Sequence, residues 1–403
     1  MKRFLDRYVE FVRQPDVAKL LLVALVSRMP IGMVGFSMLM FMREALGNFA
    51  HAGAVVGANF ITMAAAAPIV GRIIDRHGPR RLMYVTGIVQ PLMLLATLFA
   101  AKMHAPQPLL LVCAGLSGAF ASPITTVTRT TWRHRFPREE DRRTAFALDS
   151  VLIEINFTVG PALIAALLAT ASATFAFAFA IAVVFLSFVV FMASPALRYF
   201  KHSGQVERHL LGPLVDGRLR LIFAVTFGLT VCFGCLEVGY PAYATALGMP
   251  ALAGVLLGLN SLGSAAGGAI YGGIHPKMSI ERQFATAMAV MAVPLLLHAL
   301  VTPVAAFAVV AFLAGALIAP SVAAQSVLVS RLAPVHYATE AFTWSSTFIV
   351  SGLGVGMALG GAFAEAAGPR PLFAAASGLA ASMALLALLI NASAAPQGAR
   401  AET

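Results

Sequence analysis

Charge is scarce in this chain: only 11% of its 403 residues are Asp, Glu, Lys or Arg. A soluble domain carries about 25%, so a surface of this size has too little charge to be held in water. Acidic residues are the scarcer sign, 17 against 28 Lys and Arg. Cysteine is nearly absent. Cys113, Cys232 and Cys235 all lie in apolar runs. The CxxC spacing of the last two has no second pair and no histidine cluster beside it, which argues against a zinc or redox site. No Walker loop, no HExxH and no Ser-His-Asp pattern on a polar segment is present. ATP hydrolysis and hydrolytic catalysis on this chain are therefore not expected, nor is a cofactor or metal. Nor is a cleavable leader expected, because the charged residues 1–17 are followed by no small-residue cleavage site.

What the chain has is apolar length. Hydrophobic residues make up 59%, and the mean hydropathy is +0.85. A bilayer core about 30 Å thick takes roughly 20 helical residues to cross. Twelve runs meet that length, at 18–41, 52–74, 82–101, 108–131, 144–170, 173–193, 219–244, 251–274, 284–302, 304–330, 340–364 and 371–391. The reading is an all-α membrane protein with twelve spans, numbered here in chain order. Residues 1–17 carry Phe4, Tyr8, Phe11 and Val12 at helical spacing, and they read as an amphipathic helix on the membrane surface.

The basic residues fix an orientation. With the N-terminus inside, 23 of the 28 Lys and Arg lie in the inner loops and helix ends, and three lie outside: Arg43, Lys102 and Arg370. The positive-inside rule then places both termini in the cytoplasm. The same rule accounts for the net charge of +11 without nucleic acid as a partner.

The chain repeats itself. Val55, Gly57, Asn59 and Gly71 recur in kind as Leu256, Gly258, Asn260 and Gly272, 201 residues on. Gly118, Ala119, Pro123 and Pro137 recur as Gly315, Ala316, Pro320 and Pro334, 197 residues on. Ala145, Phe146 and Gly160 recur as Ala341, Phe342 and Gly356, 196 residues on. Ordered matches in three pairs of spans point to a duplicated six-helix unit. The expected organisation is a six-helix bundle at 18–193, a linker at 194–218, a second bundle at 219–391 and a tail at 392–403.

One loop is specific. Between spans 2 and 3 stands Gly71-Arg72-Ile73-Ile74-Asp75-Arg76-His77-Gly78-Pro79-Arg80-Arg81. This resembles the signature loop of the major facilitator superfamily. With twelve spans, the duplication and a basic central linker, the resemblance covers the whole chain and implies two pseudo-symmetric bundles rocking about a midplane site. Gly71 and Gly78 are expected to allow the tight turn. The resemblance further implies that Asp75 meets the N-terminus of span 11 near Thr339, a favourable dipole contact that closes an inner gate. Arg76, Arg80 and Arg81 complete the motif. Span 5 carries Asn156-Phe157-Thr158-Val159-Gly160-Pro161, similar to the span 5 motif of drug–proton antiporters at Gly160 and Pro161. Asn156 stands where that motif has Gly, and the trailing Gly pair is absent. The resemblance is closest to bacterial efflux-type permeases of the inner membrane.

Five ionisable residues sit inside spans: Arg28, Arg129, Asp149, Glu154 and Glu237. Each costs about 2.5–3.5 kcal/mol to insert. Their duplicate positions are Leu229, Ser326, Ser345, Val350 and Phe36. The fold evidently does without charge there, so the five point to substrate, proton or gate. Depth suggests the pairs Arg28–Glu154 near the midplane and Arg129–Asp149 near the inner face. Asn59 and Asn260 are expected to face the cavity, Trp132 and Trp344 to anchor at the interface, and His298 to be packed. The glycines of span 8 (Gly263, Gly267, Gly268, Gly272) and span 11 (Gly352, Gly356, Gly360) read as packing stripes.

The expectation is a monomeric proton-coupled secondary transporter exporting a small molecule, its partners being the lipid bilayer, the substrate and protons. Glu154 or Glu237 would carry the proton. The alternatives are uptake of an anion held by Arg28, or a transporter-like receptor without flux.

Overall fold

The computed structural model describes residues 11–136, 138–199, 212–273, 277–333 and 338–392. The expected surface helix at 1–17, the linker at 194–218 and the tail at 392–403 fall wholly or partly outside these residues. Twelve helical spans long and apolar enough to cross a membrane are present: Val17–Leu46, Phe49–Ile74, Pro79–Lys102, Gln107–Trp132, Val151–Thr170, Ala173–Met192, Gly217–Ala246, Leu252–Gly272, Ile280–Leu300, Val304–Leu332, Ala341–Ala367 and Pro369–Ile390. The end that holds the 71–81 segment is called the base here, and the opposite end the crown.

Short connections are set by local chemistry. Spans 1 and 2 turn at Gly47, whose φ of 81° suits glycine. Span 2 then starts at Asn48, whose side chain accepts from the His51 N–H (2.8 Å). Ser172 caps span 6 by accepting from Phe175 N–H (3.1 Å). Asp216 caps span 7 by accepting from Arg218 and Leu219 N–H (2.7 and 3.1 Å). Spans 2 and 3 meet at Gly78 alone, with φ 77°. Gly71 does not take part in that turn, contrary to the sequence expectation, because the helix of span 2 runs unbroken to His77. Likewise span 5 starts earlier than its apolar run: its helix is Glu139–Thr170, since charged residues make helix readily once outside lipid.

Among the described residues three spans are broken. Span 1 divides at Met29, where Pro30 has no N–H to continue the ladder. Span 4 breaks between Ala119 and Ile124, and span 10 between Gly315 and Ile318. The last two breaks sit at nearly duplicate positions, the first ending on Pro123 and the second just before its repeat, Pro320. The backbone freed in span 4 is satisfied from span 3, where Gln90 Oε1 accepts from Ser122 N–H (3.0 Å).

The apolar core shows how the halves meet. At the crown one continuous core joins them, from Met33, Phe41 and Phe177 to Cys232, Tyr240 and Phe373. At the base it divides in two. Val17, Ile74, Trp132 and Phe191 form the core of the first half. Leu219, Phe284, Leu328 and Ile390 form that of the second. Between the halves, spans 2 and 11 touch backbone to backbone through glycine in their crown portions. A Cβ on Gly57 would stand 2.7 Å from the Gly354 carbonyl oxygen, and Gly53 and Gly361 abut Met357 O and Phe49 O. Spans 5 and 8 close the other seam, where Gly254 abuts Ala165 and the Pro161 carbonyl. Ser261 Oγ on span 8 also donates to Phe157 O on span 5 (3.0 Å).

Candidate functional site

The break in span 1 sets the scene for a buried charge cluster. Met29 N–H turns to Val26 O (3.3 Å), so the Leu25 carbonyl loses its usual helical donor. Asn156 of span 5 supplies one, Nδ2–H to Leu25 O (3.2 Å). This explains why Asn stands at the first position of the span 5 motif. One turn on, Gly160 packs directly on Gly32, its would-be Cβ only 2.9 Å from the Gly32 carbonyl carbon. Asn156 and Gly160 therefore fix span 5 against the kinked span 1.

Arg28 lies in the last turn before that break and is 1% exposed. Its partner among the described residues is Asp149, while the side chain of Glu154, the partner that depth suggested, lies outside them: Arg28 Nη1 donates to Asp149 Oδ1 at 2.6 Å. The reason is the early start of span 5. Eleven residues of helix from Glu139 bring Asp149 up to the level of Arg28, about 15 Å from the helix end. Arg129 of span 4 reaches the other oxygen, Nε to Oδ2 at 3.5 Å, with half its side chain exposed. The expected Arg129–Asp149 pair is thus present, as the weaker arm of a three-residue cluster. Trp132 completes it. Its Nε1–H donates to Asp149 Oδ1 at 2.9 Å, and the ring is fully buried against Phe136. The expected interfacial anchor is instead a core residue, because the indole N–H needs an acceptor and Asp149 provides one. Arg28 Nε and Nη2 find no acceptor among the described residues.

The duplicate of this cluster is neutral. Where the first half has Asp149, the second has Ser345, which accepts from Gln325 Nε2–H (2.8 Å). Leu229 takes the place of Arg28. Nothing in the sequence pattern gave Trp132 or Gln325 these partners. Their roles depend on which helix face meets which neighbour.

Asn59 and Asn260 form a matched pair of clamps instead of cavity groups. Asn59 Nδ2–H donates to Ala114 O (3.1 Å) and Ser117 Oγ (2.6 Å). Asn260 Nδ2–H donates to Ala311 O (3.1 Å) and Tyr240 Oη (3.3 Å). Ala114 and Ala311 are duplicates, and so are Gly118 and Gly315, whose bare Cα atoms let the asparagine backbones approach. A packing amide at these depths costs less than one left open, so the clamp wins over the cavity.

Glu237 lies in the crown half of span 7. That span is the most enclosed, with 72% of its most apolar window buried against 44% or less elsewhere. Glu237 is one of its few half-exposed positions, with Phe233 one turn toward the base. It has no hydrogen bond or ion pair among the described residues. One turn toward the crown, Tyr240 is fully buried in a box with His298, Phe307 and Phe373. His298 is packed as expected: its Nδ1–H donates to Pro294 O (2.7 Å), and its ring lies 4.8 Å from Phe373. The two buried cysteines are thiols turned toward backbone, Cys232 to Ala376 O and Cys235 to Gly356 O.

The side chains of Asp75 and Glu154 lie outside the described residues, as does that of Thr339, so the expected inner-gate contact is not placed. The helix carries Asp75 in its last turn, and Arg72, Arg76, Arg80 and Arg81 are exposed around it. The span 8 and span 11 glycines lie mostly against backbone: Gly263 and Gly267 on span 10, Gly352 and Gly356 on span 7. Gly272 meets nothing within 4 Å.

A profile of the Major Facilitator Superfamily matches residues 20–304. No curated protein matches at the level of sequence. Among solved structures, the nucleoside transporter NupG aligns with a TM-score of 0.75 at 11% identity, covering 93% of this chain and 98% of that one. An auto-inhibited POT family peptide transporter aligns with 0.77 at 13% identity, covering 98% and 99%. A peptide transporter POT in complex with sulfate aligns with 0.67 at 14% identity, covering 93% and 94%.

Proposed function

The chain belongs to the Major Facilitator Superfamily, and we propose that it is a proton-coupled secondary transporter that exports a small molecule by alternating access. The observation that carries the coupling is Glu237. A carboxylate half-exposed within the most enclosed span, and without a partner among the described residues, is free to bind a proton in one state and release it in another. The closed crown and divided base support a state in which a cavity between the halves opens toward the base. The base is the cytoplasmic side on the positive-inside count, so substrate would enter from the cytoplasm, and the termini lie there too. A reporter fused after Thr403 that is active only outside the cell would reverse this orientation.

A second reading is uptake of an anion. It draws on Arg28, whose Nε and Nη2 lack acceptors among the described residues.

The test begins with purified protein. Nucleosides, peptides, organic cations and organic anions are screened for thermal stabilisation at two pH values. Binders are then followed in vesicles with an imposed pH gradient. Accumulation driven by the gradient in the export direction is the expected result. Saturable binding without flux would make the protein a receptor, and preference for anions that is lost in Arg28→Ala would favour the second reading.

A further inference from the structure

Span 2 begins at the crown, so its positive end points to the rim of the seam between the halves. Phe49 is its first helical residue, and its N–H has no intrahelical acceptor. The acceptor comes from the other half: Glu365, in the last turn of span 11, takes the Phe49 N–H on Oε2 at 2.9 Å. Phe49 is 6% exposed, while Glu365 is open to solvent. From its own half Phe49 is held by Arg43, whose guanidinium stands 5.6 Å from the ring centre. Just below, Gly53 and Gly57 meet Met357 and Gly354 backbone to backbone. The bond therefore sits at the outer lip of a tightly packed seam, where separation of the halves would start.

We infer that Glu365 is the crown-side latch of this transporter, holding spans 2 and 11 together by capping the N-terminus of span 2 across the two halves. The inference rests on the alternating-access reading proposed above. A charged cap of this kind is strong enough to favour closure. It is also weak enough to be given up to water in each cycle, because both groups are solvated once parted. The latch is confined to one seam. The duplicate of Phe49 is Pro250, which has no N–H, and the duplicate of Glu365 is Ala169, which has no carboxylate. The seam of spans 5 and 8 instead carries the packing of Gly254 on Ala165 and the Ser261 bond to Phe157 O.

The experiment uses full-length protein with Cys113, Cys232 and Cys235 replaced by alanine. Spin labels go at Met103 and Leu300, two exposed crown residues in opposite halves and away from the seam. Pulsed distance measurements give the ratio of crown-closed to crown-open molecules. Glu365→Ala should shift that ratio about tenfold toward open, and Glu365→Gln by less, since it keeps an acceptor but loses the charge. Gly57→Trp, which wedges the seam itself, is the reference for opening. If Gly57→Trp lengthens the distance and both Glu365 variants leave it unchanged, the latch is wrong. If Gly57→Trp folds and also leaves it unchanged, the halves do not rock, and the alternating-access reading falls with it.

Discussion

Asp149 and Ser345 occupy the same place in the two halves, 196 residues apart, and they hold opposite kinds of company. Asp149 draws Arg28, Arg129 and Trp132 onto one carboxylate. Ser345 accepts a single amide hydrogen from Gln325. The same helix crossing is thus built once with charge and once without. A buried ion pair adds little net stability over a neutral contact of the same shape, but half of one is costly.

That asymmetry predicts a double-mutant result. Asp149→Ser alone leaves Arg28 buried and unpaired, and should cost about 3–5 kcal/mol. Arg28→Leu together with Asp149→Ser copies the second half, with its Leu229 and Ser345. It should recover much of that loss, a coupling of about 2–3 kcal/mol. Thermal unfolding in detergent measures the cycle. Simple addition of the two single losses would show that the pair is not coupled.

Trp132 offers an optical check. The chain has two tryptophans, Trp132 fully buried and Trp344 half-buried. Trp132→Phe keeps the ring stack on Phe136 but removes a hydrogen bond to a carboxylate, which should cost about 1.5–3 kcal/mol. It should also remove the blue-shifted emission that acrylamide does not quench. Emission that remains shielded in this variant would contradict the buried site.

The asparagine clamps predict where glycine is required. Ala at Gly118 or Gly315 puts a methyl onto the carbonyl oxygen of Asn59 or Asn260, at about 1–3 kcal/mol each. The two sites lie in different halves, so the losses should add. Gly71 is the contrast. It is helical with open space around it, and Gly71→Ala should stabilise by about 0.5–1 kcal/mol. Equal losses at all three glycines would mean that the close approaches at Gly118 and Gly315 are not what matters.

Coupling separates the two carboxylates. Glu237→Gln should abolish accumulation driven by a pH gradient while leaving substrate exchange measurable, because binding and rocking do not need the proton. Glu154→Gln is the companion variant. If it uncouples transport and Glu237→Gln does not, the proton carrier lies on span 5.

Much of the architecture was legible in the sequence, and for a physical reason. Lipid allows only helices long enough to cross it, so apolar run length gives the spans. The repeats of glycine and proline located the duplication, since close helix approach and helix breaks need those residues and no others serve. Even the departure of Asn156 from its motif was visible. Its purpose was not, because it depends on a carbonyl of span 1 left open by a proline five residues further along.

What the sequence could not decide was which polar group meets which. Arg28 could be matched by depth with Glu154. Depth in turn depends on where a helix starts, and span 5 starts five residues before its apolar run. Only the packed helices brought Asp149 level with Arg28, turned Trp132 inward, and spent Asn59 and Asn260 on neighbouring backbones. The bond from Phe49 to Glu365 spans 316 residues and depends on the angle at which two halves close. Span number and order follow from the solvent, which acts on each segment by itself. Partners follow from the rotation and tilt of each helix against all the others, and no segment carries that alone.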